Sequence, residues 1–192
     1  MVPKDTVRID DNVLRTGSQV LIRASGEPFL KAFSSTIERM TKQHGSKGIL
    51  ISTLWSAKAM SRRLSMGQLS KGTLKVVDTV SLSMGSSVPS MDDFIFLSTP
   101  SSLESILVAI ERLLQSSGED MQFLVLDSLT FLTNYYSPGQ LSEFFNFLLN
   151  RMLEEEMTVI IFDQRTDEVT AVSKELSSKM DHTIVLSEGV SD

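Results

Sequence analysis

Short runs of consecutive apolar residues alternate along the chain with segments in which apolar residues recur every three or four positions. The first run, QVLIRA (19–24), precedes Phe29, Phe33, Ile37 and Met40, which share one face of a helix. Continuous apolar runs of this length are typical of strands buried on both faces. The first segment of the chain therefore predicts a buried strand followed by an amphipathic helix.

The same alternation continues to the end of the chain. Further strands are predicted at 48–53, 73–80, 94–98, 122–127, 158–163 and 182–187. Helices are predicted between them, and Ser137-Pro138 and a Ser101/Glu104 capping box mark the start of two. Alternating strands and helices favour right-handed crossovers. We therefore predict one α/β domain over residues 1–192, with a mostly parallel central sheet and helices on both faces.

Composition narrows the class of protein. The 192 residues carry a net charge of −6, with 18 basic and 24 acidic residues, and this balance disfavours a general nucleic-acid binder. The chain has no cysteine and only two histidines, His44 and His182, so we expect no disulfide and no metal site. Its start is charged, and its apolar runs are too short to span a bilayer. We expect a cytoplasmic protein without membrane contact.

The segment LIRASGEPFLKAF (21–33) can be aligned with a phosphate-binding loop, G-x-x-x-x-G-K-[ST], which lies between a strand and a helix. Lys31 then takes the position of the motif lysine. Ser25 and Leu30 replace the two glycines, and Ala32 replaces the hydroxyl residue that coordinates Mg²⁺. Lys31 alone is weak evidence, because a solvated lysine is also expected there.

Several departures from the motif would weaken phosphate binding. Leu30 adds a bulky side chain where backbone N–H groups must approach the phosphate. Pro28 has no N–H to donate, and Glu27 places a negative charge beside a polyphosphate. The segment therefore predicts a degenerate phosphate loop.

The second candidate segment is FLVLDSLTFL (123–132), an apolar strand that ends in Asp127-Ser128. In many ATPases an aspartate at this place holds the hydration shell of Mg²⁺. The alternative is that both side chains form hydrogen bonds within the loop that follows the strand. Because apolar runs ending in Asp are common, we expect Asp127 to be structural.

Taken in order, these segments resemble the RecA superfamily, in particular its archaeal KaiC-like and RadA-like proteins. GSQVLIRASG (17–26) is similar to the family's approach to the phosphate loop, and LVLDSLTFL (124–132) is similar to its Walker B segment. Similar segments of the chain are GILISTLWSAKAMSRRL (48–64), STPSSLESILVAIERLL (98–114) and RMLEEEMTVIIFDQ (151–164). The resemblance covers nearly the whole chain. It implies a RecA-like, P-loop NTPase-type fold of three αβα layers.

The resemblance also implies where a nucleotide would bind. The matching positions for a degenerate cofactor site are Ser25, Gly26, Lys31, Asp127, Ser128 and Gln164. Gln164 matches a polar residue that senses the γ-phosphate in related proteins. KaiC-like ATPases place paired glutamates after the second strand, and Leu54 and Trp55 stand there instead. Neither can act as a general base, so we expect no catalytic residue.

These observations leave three hypotheses. The first is an inactive RecA/KaiC-like domain that acts in regulation, signal transduction or scaffolding through a protein partner or self-association, without a cofactor. The second is a diverged ATP-binding protein or weak ATPase that uses Mg·ATP. The third is a nucleic-acid-binding relative of RadA, supported only by the basic clusters at 62–63 and 71–75. The Ser-, Gly- and Met-rich segment 81–93 is expected to form a surface loop.

Overall fold

The protein folds around a seven-stranded, all-parallel sheet. The computed structural model describes residues 9–43, 45–64, 72–85, 93–98, 102–116, 121–164 and 170–186. The strands in these ranges are β1 Gln19–Ala24, β2 Lys47–Ser52, β3 Leu74–Asp78, β4 Phe94–Phe96, β5 Met121–Leu126, β6 Thr158–Asp163 and β7 His182–Leu186. Their order across the sheet is β4-β3-β2-β5-β6-β1-β7, and all neighbours are parallel.

Helices connect the strands in the predicted alternation. They are α1 Gly26–Glu38, α2 Ala57–Arg63, α3 Leu103–Ser116, α4 Leu129–Leu132, α5 Pro138–Glu154 and α6 Ala171–Lys179. A π-helical turn, Arg39–Gln43, extends α1. Of the helices in the described ranges, none combines the length and apolar character needed to cross a bilayer.

Local capping explains where two helices begin. The prediction for α5 is confirmed, because Ser137 and Gln140 form a reciprocal capping box and proline occupies the first turn. The predicted capping box of α3 involves Ser101, which lies outside the described residues. The Oγ atom of Ser102 accepts a hydrogen bond from the N–H of Ser105 at 3.0 Å, so it satisfies one of the free donors at this end.

Two apolar cores lie on opposite faces of the sheet. On one face, α1 and α2 pack against the sheet through a buried set that includes Phe33. On the other face, α3, α5 and α6 pack through a second buried set that includes Phe145. The predicted three-layer αβα arrangement is therefore confirmed. Because every loop that follows a strand leaves the same edge of a parallel sheet, this edge collects the side chains that end the strands.

The predicted surface loop at 81–93 is only partly described. Residues Ser81 to Gly85 form turns, and Leu82 and Met84 are exposed there. The remainder, 86–92, lies outside the described residues. The prediction of a long loop is therefore neither confirmed nor contradicted.

Replacing Gly48 by alanine should destabilise the fold. A Cβ atom at this position of β2 would lie 2.4 Å from the ring carbons of Phe123, whose side chain is fully buried. Because a close-packed interior cannot move the ring without strain, we expect Gly48→Ala to lower the free energy of unfolding by about 1–3 kcal/mol. Urea unfolding measures the change.

Gly139 provides the matched control, because a Cβ there meets nothing within 4 Å. Alanine is the better helix former, so Gly139→Ala should stabilise the protein by up to about 1 kcal/mol. Adding Phe123→Leu to the Gly48→Ala variant should recover part of the loss. Equal stability of the two alanine variants would contradict this account of the packing.

Candidate functional site at the carboxyl edge of the sheet

Three buried aspartates lie at the carboxyl edge of the sheet. Asp78 ends β3, Asp163 ends β6, and Asp127 directly follows β5. Each has at most 2% of its surface exposed. A buried carboxylate is costly unless hydrogen bonds satisfy its oxygens, so the partners of each aspartate determine what this edge can do.

Asp127 accepts four hydrogen bonds from the last residue of β2 and the loop that follows it. Its Oδ1 accepts from the N–H of Thr53 at 2.8 Å and from the Thr53 hydroxyl at 2.7 Å. Its Oδ2 accepts from the Ser52 hydroxyl at 2.9 Å and from the N–H of Leu54 at 3.1 Å. Burial raises the pKa of the Asp127 carboxyl, and these hydrogen bonds oppose that rise. The carboxyl group therefore ties the end of β5 to the end of β2.

Asp78 accepts hydrogen bonds from the start of α2 and from the turn that follows β3. Its Oδ2 accepts from the N–H of Ala57, at the start of α2, at 2.7 Å and from the Ser81 hydroxyl at 2.6 Å. Its Oδ1 accepts from the N–H groups of Val80 and Ser81 at 2.7 and 2.8 Å. The carboxylate thus satisfies a free donor at the start of α2 and closes the turn after β3.

Asp163 joins α4 and α6 to the end of β6. Its Oδ1 accepts from the Thr130 hydroxyl and its Oδ2 from the Ser173 hydroxyl, both at 2.8 Å. Arg23 of β1 lies beside it, with Nε 3.4 Å from Oδ2. The Thr130 hydroxyl in turn accepts from the N–H of Gln164 at 3.0 Å. Gln164 is therefore held through its backbone.

Ser25 and Gly26 form a tight connection between β1 and α1. Strand β1 ends at Ala24 and α1 begins at Gly26, so a single residue separates them. Gly26 has a φ of 58°, in the left-handed region that glycine adopts at little cost. The N–H of Phe29 donates to the carbonyl of Ser25 at 3.4 Å. Helix α1 thus begins within the residues aligned with the phosphate loop.

Lys31 lies on the exposed side of α1. Its Nζ is 2.9 Å from Oε1 of Glu27, one turn earlier, and this pair lowers the pKa of the Glu27 carboxyl. Leu30 is also exposed, whereas Ala32 is fully buried against the sheet. The motif lysine and the residue at the Mg²⁺-hydroxyl position therefore lie on different faces of the helix.

Trp55 is buried under α1, where it packs against other aromatic rings. Its ring stacks on Phe29 with 5.6 Å between centroids and meets Phe33 edge-on at 4.9 Å. Phe162 of β6 contacts both phenylalanines. The guanidinium of Arg63 lies 5.0 Å from the centroid of the Trp55 ring. Aromatic packing therefore joins the first turns of α1 to the loop after β2.

The six predicted site residues fall into two groups. Asp127, Ser128 and Gln164 lie at the ends of β5 and β6, where the Oγ atom of Ser128 accepts from the N–H of Phe131 and caps α4. Ser25 and Gly26 turn the chain at the end of β1, and Lys31 follows a turn and a half later along α1. Among the described residues, no group of three or more His, Cys, Asp or Glu could hold a metal ion.

Of the three aspartates that organise this edge, only Asp127 was among the site residues predicted from the sequence. The missed residues are Asp78 and Asp163. Their signal was present, because LKVVD (74–78) and TVIIFD (158–163) are apolar strands that end in Asp, as is FLVLD (123–127). A pattern shared by three strands of one sheet indicates a common structural role at its carboxyl edge.

Comparison with solved structures identifies the fold class. The chain is similar to the KaiC-like protein PH0186 of the hyperthermophilic archaeon Pyrococcus horikoshii OT3, with 17% identity and a TM-score of 0.63. The match covers 92% of this chain and 76% of that one. At this level of identity the similarity shows the fold alone, and it confirms the expected RecA-like three-layer fold.

A family model identifies the protein family to which the chain belongs. The model described as a family of unknown function (DUF7090) matches residues 35–190. Because the match spans most of the chain, the protein belongs to this family. No curated protein matches the sequence.

Replacing Asp127 by asparagine should destabilise the protein. The amide nitrogen of asparagine would face a backbone N–H whichever way it points, that of Thr53 on one side or of Leu54 on the other. We expect Asp127→Asn to lower the free energy of unfolding by about 1–3 kcal/mol. The melting temperature should then fall by roughly 2–4 °C for each kcal/mol.

Asp181 offers a matched control. It accepts one hydrogen bond, from the N–H of Gln19 at 2.8 Å, on the protein surface, and asparagine can accept the same bond. Asp181→Asn should therefore change the stability by less than about 0.5 kcal/mol. If both variants melt alike, the hydrogen bonds of Asp127 do not contribute as described.

Proposed function

We propose that this protein is a RecA-like domain that does not use a nucleotide and acts as a regulatory or scaffolding module through protein contacts. One observation carries the proposal: α1 begins at Gly26, a single residue after β1. Because the chain resembles archaeal KaiC-like proteins, we also propose that it comes from an archaeon and acts in signal transduction in the cytoplasm.

A triphosphate needs several consecutive backbone N–H groups that point into a loop. Here α1 begins within the corresponding segment, and the N–H of Phe29 donates to the carbonyl of Ser25 instead of pointing into a loop. Pro28 contributes no donor, and the carboxylate of Glu27 lies in the first turn. The residues present therefore do not fit a bound triphosphate.

The support that a Mg²⁺ ion would require is also missing. Ala32 has no hydroxyl and is buried. Both oxygens of Asp127 accept two hydrogen bonds each from the protein. Contact with a metal or its water would have to replace some of these bonds, and the buried N–H of Thr53 would lose its acceptor if Oδ1 turned away from it.

Neither residue at the positions of the paired glutamates could activate water for hydrolysis. Leu54 and Trp55 take the positions of the paired glutamates of KaiC-like ATPases. The N–H of Leu54 is bonded to Asp127, and Trp55 is packed under α1. Phosphoryl transfer depends on positioning and charge stabilisation, so these features argue against turnover of a nucleotide. The proposed role through protein contacts requires none of them.

Mg·ATP should not change the thermal stability of the protein. A ligand that binds only the folded state adds RT ln(1 + [L]/Kd), about 2.7 kcal/mol at a hundredfold excess over Kd. An intact site of micromolar affinity would therefore raise the melting temperature by roughly 5–10 °C in sub-millimolar ATP. We expect shifts below about 1 °C with Mg²⁺ and ATP, ADP or GTP, measured by differential scanning fluorimetry.

Trp55 provides a second readout, because it is the only tryptophan of the chain and contacts the first turns of α1. Its fluorescence should not change during the same titrations. A reproducible rise of several degrees with one nucleotide, abolished by Lys31→Ala, would overturn the proposal in favour of a diverged ATP-binding protein.

A further inference from the structure

A groove lies between the N-terminal halves of α3 and α5, on the face of the sheet opposite α1. Its volume is about 480 Å³. Leu103 and Leu107 line it from α3, Phe144 and Phe147 line it from α5, and Tyr136 lines it from the residues just before α5. Volumes of this size accommodate several side chains of a ligand.

The groove has a defined end. Glu111 lies one turn beyond Leu107 on α3, and Arg151 lies one turn beyond Phe147 on α5. Nε of Arg151 is 2.7 Å from Oε1 of Glu111, so this ion pair connects the two helices beyond the groove. The open part spans about two helical turns, or roughly 10 Å.

The charges along the groove have one sign. Glu104 of α3 and Glu143 of α5 line it on opposite sides, and both residues are exposed. None of the described residues that line the groove is basic. In water, two carboxylates beside an apolar surface favour a ligand that combines apolar and cationic groups.

Phe147 gives the groove an exposed aromatic wall. Just over half of its surface, 53%, is exposed, whereas Phe144 beside it is 4% exposed. Aromatic side chains contribute strongly to protein interfaces because they bury a large, rigid surface. An aromatic ring that borders an apolar groove is therefore suited to contact a partner.

We propose that this groove binds a short amphipathic helix of a partner protein, with its apolar face toward Leu107 and Phe147 and with lysine or arginine toward Glu104 and Glu143. The proposal rests on the proposed function as a protein-interaction module and names the chemistry of the partner. A groove two turns long fits apolar side chains at positions i, i+3 or i+4, and i+7 of a bound helix. Because the groove is open between two helices, it favours a peptide over an enclosed small molecule.

The test uses a fluorescein-labelled synthetic helix with leucine at i, i+3, i+4 and i+7 and two lysines at each end. Fluorescence anisotropy measures its binding to the purified protein without nucleotide, and a second peptide replaces the four lysines with glutamates. We expect saturable binding of the lysine peptide, weaker binding at higher salt because exposed charges are screened, and no binding of the glutamate peptide.

Variants at exposed positions locate the binding without disturbing the core. Phe147→Ala and the double variant Glu104→Gln/Glu143→Gln should each weaken binding by about fivefold or more. Leu153→Ala removes an equally exposed apolar side chain of α5 outside the groove. Glu38→Gln/Glu156→Gln changes the net charge by the same amount at exposed positions away from the groove. Both control variants should bind as the unmodified protein does.

The absence of saturable binding, or equal binding by the groove variants and their controls, would overturn the proposal. Sedimentation of the protein alone adds one outcome. Self-association that is lost in Phe147→Ala would show that a second copy of the chain occupies the groove, and it would also overturn the partner-helix proposal. The peptide titration contains no nucleotide, so its failure is distinguishable from a failure of the proposed function, which the nucleotide melts detect.

Discussion

The hydrogen bonds of buried carboxylates at the ends of the strands hold the carboxyl edge of this protein together. Asp78, Asp127 and Asp163 each lie where a hydrophobic strand meets a loop, and each is surrounded by donors. A buried carboxylate without donors would cost several kcal/mol. The loops therefore have one favourable arrangement, in which their N–H and hydroxyl groups point toward these oxygens. The positions of α2, α4 and α6 depend on that arrangement.

The same interactions limit what the edge can bind. In an open parallel sheet, ligands are usually held by loops at the carboxyl ends of the strands. Here each carboxylate accepts hydrogen bonds from the protein, and Trp55 and Phe29 pack between α1 and the loop after β2. A surface that satisfies its own polar groups gains stability, but it has few groups left with which to recognise a ligand. Under the proposed function, the side chains at this edge are therefore a better guide to activity than the RecA-like fold is.

The sequence predicts the fold well because its signals are local. The bounds of β1 follow from a continuous apolar run, and the start of α5 follows from Ser137-Pro138; both signals depend on residues near in sequence. The apolar face of α1 is also a local signal, whereas alignment with a phosphate motif implies a loop where the chain turns directly at Gly26. The partners of Asp127 come from the loop after β2, far away in sequence, so no local pattern indicates them. The groove between α3 and α5 depends on how two helices pack, which the spacing of apolar residues does not specify.

The strand order has a consequence for how the chain must fold. Of the strands in the described ranges β1 is made first, but its neighbours in the sheet are β6 and β7, so that Gln19 lies beside Val159 and Val20 lies beside His182. During synthesis β1 must therefore remain without hydrogen-bonded neighbouring strands until the ribosome has made the last third of the chain, which contains β6 and β7. Bringing such distant segments together costs chain entropy before any contact compensates for it, which slows folding. Until then the apolar side chains of β1 and α1 are exposed to other proteins. Chaperones would therefore be able to bind this segment before β1 pairs with β6 and β7.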